Sequence, residues 1–229
     1  MATIYLIRHG QTSFGLENYD DLSPLGIQQA KFLGGIFKQN QLTADRVFSG
    51  SMMRQQQTAS HCLTEMGSSI SIQTESAWNE FDHRDIIAKY NERYADMNNV
   101  RLDVMQAANP KEKIKELLTG AVTRWTSGEH DDYNESWWAF CKRIENGLKS
   151  IHENSEKKET IFVFTSGGSI SAVMKQLLEL PVQKTFVLQL YIANASVTKI
   201  KTTSSGWQLI SFNDHSHFGG EHKKLLTFR

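Results

Sequence analysis

Short runs of β-branched and aromatic residues alternate along this chain with longer stretches whose apolar positions recur at helical spacing, and that alternation restricts it to an α/β fold. Ile4-Tyr5-Leu6-Ile7 reads as a buried strand. Ser23-Pro24 then opens a helix with an N-cap serine and a first-turn proline, and Ile27, Ala30, Leu33, Ile36 and Phe37 lie at helical spacing. Arg46-Val47-Phe48-Ser49 is a second strand, followed by a helix from about Met52 to Met66 and a third strand at Ile70-Ser71-Ile72. Thr160 to Phe164 is the strongest strand, and Gly167-Gly168 leads from it into a helix ending near Leu180. Two late strands are expected, from about Phe186 to Ile200 with a break at Asn194, and from Trp207 to Phe212. Short connections between such elements predict a three-layer α/β/α architecture around a mostly parallel sheet.

Residues 84–127 break this rhythm. They are charged, Asn-rich and largely helical, with an interruption at Asn109-Pro110 and few large apolar side chains, so they read as a helical cap inserted into a single domain covering 1–229. A helix rich in aromatic residues, through Trp137, Trp138 and Phe140, follows to about His152.

A chain of 229 residues can bury one core of its own. Lys plus Arg and Asp plus Glu both number 25, which removes the basic footprint of a protein that coats nucleic acid or an anionic membrane. Cys62 and Cys141 cannot build a disulfide framework and lack zinc spacing. The apolar runs fall far short of the roughly 20 residues that span a bilayer. Met1-Ala2-Thr3 enters a strand with no charged leader. The expectation is a soluble cytoplasmic protein without nucleic-acid or membrane partners, with a homodimer left open.

Ligands of such sheets sit at the carboxyl ends of the strands. Three strands here end in polar or glycine-rich loops, Arg8-His9-Gly10, Ser49-Gly50-Ser51 and Thr165-Ser166-Gly167-Gly168, and these should converge. An arginine at that edge is costly to desolvate unless it meets an anion, and its fork suits phosphate or carboxylate. A neighbouring imidazole can be a nucleophile toward phosphorus. The plainer alternative is a surface arginine beside a satisfied strand-end histidine.

Ile7-Arg8-His9-Gly10-Gln11-Thr12 resembles the signature of the histidine phosphatase superfamily, the phosphoglycerate mutase-like proteins. Leu22-Ser23-Pro24-Leu25-Gly26, Ser49 to Ala59, Trp78-Asn79-Glu80-Phe81-Asp82, Asn194 to Thr198 and Asn213-Asp214 to His217 resemble later segments of that family in the same order. The resemblance implies that His9 is the nucleophile and that Arg8 and Arg54 clamp the phosphoryl oxygens. Glu80 would be the general acid and later the base, in surroundings of Trp78 and Phe81 that favour a neutral carboxyl group. Gln11 and Thr12 would be secondary phosphate contacts, and His217 would lie near the pocket. Apart from the resemblance, Arg54 reads better as a solvated helix residue.

The chain also departs from the family. Ser166 stands where a second histidine is usual, although Gly167 and the helix start still present amides that can bind an anion. Asp82-His83-Arg84 replaces a glycine-containing turn, and His83 is a candidate to supply the missing imidazole.

Rival constellations are thinner. Asp214, His215 and His217 with Glu221 and His222 form one short metal-like tract without a distant ligand. Gly167-Gly168-Ser169-Ile170-Ser171 lacks the last glycine of a nucleophile elbow. No Walker loop or dinucleotide fingerprint is present, so no cofactor is implied. The expectation is a metal-independent phosphatase of a small phosphorylated metabolite, with specificity in the insert. Phosphoglycerate mutase-type transfer and a slow phosphate-binding relative are the alternatives.

Overall fold

The computed structural model describes residues 1–13, 20–204 and 206–228, with Lys111 described by its backbone alone. Strands β1 (Thr3–Arg8), β2 (Arg46–Ser49), β3 (Ile72–Thr74), β4 (Thr160–Thr165), β5 (Val197–Thr203) and β6 (Gly206–Asp214) form one sheet in the order β3-β2-β4-β1-β5-β6. The first four of that order run parallel, and β5 and β6 add an antiparallel edge. This is the mostly parallel α/β sheet that the strand–helix alternation predicts. Ile161, Phe162, Val163 and Phe164 of β4 are all fully buried, which is why the central strand reads as an unbroken apolar run rather than an alternating one.

Helix α1 (Pro24–Gln39) begins as its sequence forecasts, with Ser23 Oγ accepting the Gly26 N–H and Pro24 in the first turn. It packs on α2 (Met53–Met66) at a crossing that admits no side chain at one point. A Cβ on Gly34 would lie 2.3 Å from the Cys62 carbonyl oxygen. Leu33 and Phe37 from α1 and Ala59, Cys62 and Leu63 from α2 share a core with Ile7, Val47, Phe162 and Phe164.

Two elements differ from the sequence expectation. The third strand is shifted to Ile72–Thr74. The stretch from Phe186 is no strand: helix α8 (Val182–Leu190) occupies it, and β5 starts only at Val197. The β-branched and aromatic content of 186–192 is strand-like locally. Pro181 sets the helix start, Thr185 Oγ1 bonds back to its carbonyl, and α8 packs against α7 (Gly167–Leu178).

A second compact unit spans Phe81–Arg143, wider than the 84–127 read from composition. It holds α3 (His83–Tyr90), α4 (Met97–Gln106), α5 (Pro110–Thr126, capped by Asn109) and the first turns of α6 (Trp137–Glu153). It also has an apolar centre of its own. Phe81, Trp125, Trp137 and Phe140 form edge-on and tilted ring contacts, such as Phe81–Trp125 at 4.9 Å and Trp125–Trp137 at 5.2 Å. Trp125 and Trp137 are therefore core side chains, whereas Trp138 is 57% exposed. Among the described residues no helix is long and apolar enough to cross a membrane.

Candidate active site

The parallel register sets Arg8 opposite Thr165 on one side of β4 and Phe164 opposite Ser49 on the other. The carboxyl ends of β1, β4 and β2 therefore lie side by side, and the three loops singled out in the sequence meet there. The groups that meet there belong to the unit that contains the sheet, Met1–Glu80 with Ile144–Arg229.

His9 follows β1 directly and is 7% exposed. Its backbone is fixed from several directions. The His9 N–H donates to Thr165 O at 2.9 Å, and its carbonyl accepts from the Asn194 side-chain amide at 3.2 Å and the Ala195 N–H at 3.3 Å. The Gly10 N–H donates to Thr58 Oγ1 at 3.0 Å. Nδ1 lies 2.7 Å from Gly10 O. A carbonyl only accepts, so Nδ1 carries the hydrogen and Nε2 keeps its lone pair. Burial holds the imidazole pKa well below its usual value, and the charges of Arg54 and Arg8 add to that effect against the bond to Gly10. Gly10 cannot be larger, because a Cβ there would sit 2.6 Å from the Gly26 carbonyl at the start of α1.

Arg54 lies in the first turn of α2, a helix whose N-cap, Met52, makes no side-chain cap bond. Asp20 supplies the cap: its Oδ2 accepts the Met53 N–H at 2.8 Å, while Oδ1 pairs with Arg54 Nη1. The guanidinium is thus held at a helix N-terminus with an anion already on it. Nothing in the sequence marked Asp20, since the contact joins residues far apart in the chain. Arg8 is anchored by backbone carbonyls, Ile192 O and, at 3.3 Å, Phe228 O. A Cβ built on Gly167 would lie 3.6 Å from Arg8 Nε, so the arginine passes beside the start of α7.

Glu80 Oε2 accepts the Gly168 N–H at 2.9 Å, which sets the carboxylate on the N-terminus of α7. The segment before it is tied to β4 and α7. Trp78 O accepts Thr165 Oγ1 at 2.6 Å, and Asn79 O accepts Ser169 Oγ at 3.0 Å. Ser166 is fully buried, and its Oγ accepts a hydrogen from Gln55 Nε2 at 2.8 Å. Gln55, like Asp20, Thr58 and Asn194, escaped the sequence reading, because each acts through a partner distant in the chain.

The remaining expectations are placed as follows. The Gln11 N–H donates to Gln29 Oε1 at 2.8 Å and its Oε1 accepts from Ser23 Oγ at 3.0 Å, so Gln11 braces the start of α1. Thr12 forms an isolated bridge with Leu22. His83 opens α3 in the second unit, where the Asp82 carboxylate caps the helix; the expected loop is a helix start. His217 packs against Phe218 with the rings tilted, 4.1 Å between ring centres, and lies stacked with Phe32 of α1 at 6.5 Å. A hydrogen bond to the Ala195 backbone completes that setting, and burial pushes its pKa down to about 4. His217 thereby takes part in the packing between α1 and the C-terminal turns. The metal-like tract is folded on itself: Asp214 accepts from the Ser216 backbone and hydroxyl, and His215 Nδ1 bonds Asn213 O. Among the described residues no group of three or more His, Cys, Asp or Glu is arranged to hold a metal ion.

A buried imidazole, two guanidinium groups, two helix N-termini and the carboxylates of Asp20 and Glu80 are gathered at one sheet edge, an arrangement chemically suited to phosphoryl transfer. The family model of the histidine phosphatase superfamily (branch 1) matches residues 4–117 and 88–215, and the chain belongs to that superfamily. A curated relative, the 2,3-bisphosphoglycerate-dependent phosphoglycerate mutase of Bartonella tribocorum, is 26% identical over 183 residues, covering 76% of this chain and 81% of its own. Among solved structures, phosphoglycerate mutase from Bacillus anthracis superposes with a TM-score of 0.65 at 21% identity, covering 94% of each chain. A mycobacterial glucosyl-3-phosphoglycerate phosphatase gives 0.63 at 20% identity, covering 92% of this chain and 98% of its own. At those identities the structures establish the shared fold.

Proposed function

We propose that this protein is a phosphatase that hydrolyses a small phosphomonoester through a phosphohistidine on His9. The observation that carries the reading is the His9 ring, buried beside two cations and presenting Nε2 with its lone pair. In the first step Nε2 attacks phosphorus and the bond to the leaving oxygen breaks, while Glu80 gives that oxygen its proton. Arg8, Arg54 and the amides that open α7 at Gly167 offset the charge on the non-bridging oxygens. In the second step the Glu80 carboxylate takes a proton from water, whose oxygen attacks phosphorus. The N–P bond breaks, and phosphate and a neutral imidazole remain. The scheme uses no metal or organic cofactor.

The same first step serves a mutase, which returns the phosphoryl group to a substrate hydroxyl, and the name of the Bartonella relative favours that second reading. Against it stands the Asp20 carboxylate beside Arg54, which repels a substrate carrying a further anionic group. Incubation with p-nitrophenyl phosphate and with 3-phosphoglycerate separates the readings. A phosphatase releases inorganic phosphate, carries acid-labile phosphate on His9 that vanishes in His9→Ala, and is indifferent to EDTA. Formation of 2-phosphoglycerate without free phosphate makes it a mutase. Phosphate binding without label or turnover makes it a binding protein.

A further inference from the structure

Ser166 occupies the N-cap of α7, where a serine hydroxyl ordinarily accepts a hydrogen bond from its own helix. Here it makes no such bond, and Glu80 takes the Gly168 N–H instead. The Ser166 Oγ is turned to Gln55. Both residues are fully buried, and the Gln55 amide has only one orientation that works. Its nitrogen must face Trp78 O, 3.0 Å away, because a carbonyl cannot donate; the same nitrogen then donates to Ser166 Oγ at 2.8 Å. Gln55 Oε1 finds no donor among the described residues. It lies over Gly50, where an added Cβ would be 1.9 Å away, so only glycine leaves room for this side chain.

With both amide hydrogens committed, Gln55 makes Ser166 an acceptor and leaves the serine's own hydroxyl hydrogen to point elsewhere. Ser166 sits one residue past Thr165, whose carbonyl receives the His9 N–H, and next to the amides that open α7. Building on the phosphatase reading above, we propose that Gln55 is a positioning residue: it fills the space beside Ser166 and aims the Ser166 hydroxyl at the phosphoryl group in transfer. The site thereby has a neutral, non-titrating donor next to the nucleophile. The hydroxyl keeps its proton throughout, and its hydrogen bond strengthens as charge gathers on the phosphoryl oxygen.

The test is a double-mutant cycle on the full chain with Gln55→Met, Ser166→Ala and the pair, since methionine keeps the volume of glutamine and removes its donors. The readouts are the p-nitrophenol burst that reports His9 phosphorylation, the inhibition constant of inorganic phosphate, and the melting temperature. Each single variant should slow the burst by about tenfold and move phosphate inhibition by much less, as loss of a transition-state donor does. Gln55→Met should then have almost no further effect in the Ser166→Ala background. Should Gln55→Met fail to fold, Gly50→Ala applies the same pressure from the other side and should slow the burst only while Ser166 is present. Additive losses, or losses that follow melting temperature alone, overturn the inference while leaving a labelled His9 intact. A wild-type protein that never labels His9 overturns both it and the phosphatase reading.

Discussion

Asp20 sets a carboxylate on Arg54, the residue proposed to clamp the phosphoryl group, and removing its charge should make the protein bind phosphate more tightly. One carboxylate oxygen pairs with Arg54 Nη1 and the other caps the Met53 N–H. The Arg54 side chain is 8% exposed and that of Asp20 is 46% exposed. A phosphoryl group approaching Arg54 meets the same hydrogens and must displace, or share them with, the carboxylate. Hydrogen bonds to charged groups contribute about 1.5–3 kcal/mol when sheltered, whereas exposed ion pairs contribute about 0.2–1 kcal/mol. With one partner buried and the other half in water, about 1 kcal/mol is the appropriate scale, and it corresponds to about fivefold in affinity. Asp20→Asn keeps the shape and the oxygen that caps α2, so the change isolates the charge. The inhibition constant of inorganic phosphate against p-nitrophenyl phosphate should fall about fivefold at low ionic strength, and the gap should narrow near 1 M salt, where the screening length is about 3 Å. Equilibrium dialysis of labelled phosphate measures the same quantity without turnover. An unchanged constant would show that Asp20 does not compete. A weaker one would show that it helps phosphate by orienting Arg54, and either result refutes the reasoning.

Other perturbations probe the scaffold and the protonation states. His217 has its pKa pushed from the usual 6.5 to about 4, and His9 is lowered in the same direction. Below 6.5 the unfolded chain therefore takes up protons that the folded chain refuses, and stability falls with falling pH by about 1.4 kcal/mol per pH unit for each such histidine. His217→Phe should reduce the slope of unfolding free energy between pH 6 and 5 by one proton, read from urea titrations; an unaltered slope would contradict the assignment. Gly34→Ala forces a methyl group to 2.3 Å from the Cys62 carbonyl and should destabilise the protein by about 1–3 kcal/mol, seen as a lower melting temperature. Glu80→Gln should slow both His9 phosphorylation and its hydrolysis by roughly 100-fold or more, since one group serves both proton transfers. A variant impaired in only one step would divide the acid and base roles between residues.

Much of what meets at the sheet edge could be read before any fold was known, because those residues sit at places with a local signature. Arg8 and His9 end a run of buried β-formers, Ser166 and Gly167 end the most apolar strand, and Ser23-Pro24 is a helix start by composition alone. Those features depend on backbone propensity and hydrophobic period, which act over a few residues. The α8 segment shows the limit of the same logic. Its β-branched, aromatic run satisfies a strand locally, and the proline start together with packing on α7 makes it a helix. The extent of the inserted unit was likewise set by contacts, since the Phe81, Trp125, Trp137 and Phe140 rings come from separated segments.

The sequence by itself thus determined the α/β framework and, through its family resemblance, singled out Arg8, His9, Arg54 and Glu80 as the candidates for phosphoryl chemistry. Tertiary structure alone decided what surrounds them. Asp20 reaches Arg54 across 34 positions, Thr58 reaches Gly10 across 48, Gln55 reaches Ser166 across 111, and Asn194 reaches His9 across 185. Hydrogen bonds of that span leave no periodicity and no spacing rule in the chain. They exist because parallel strands bring their carboxyl ends together in an order, β2-β4-β1, that is not the order of the sequence.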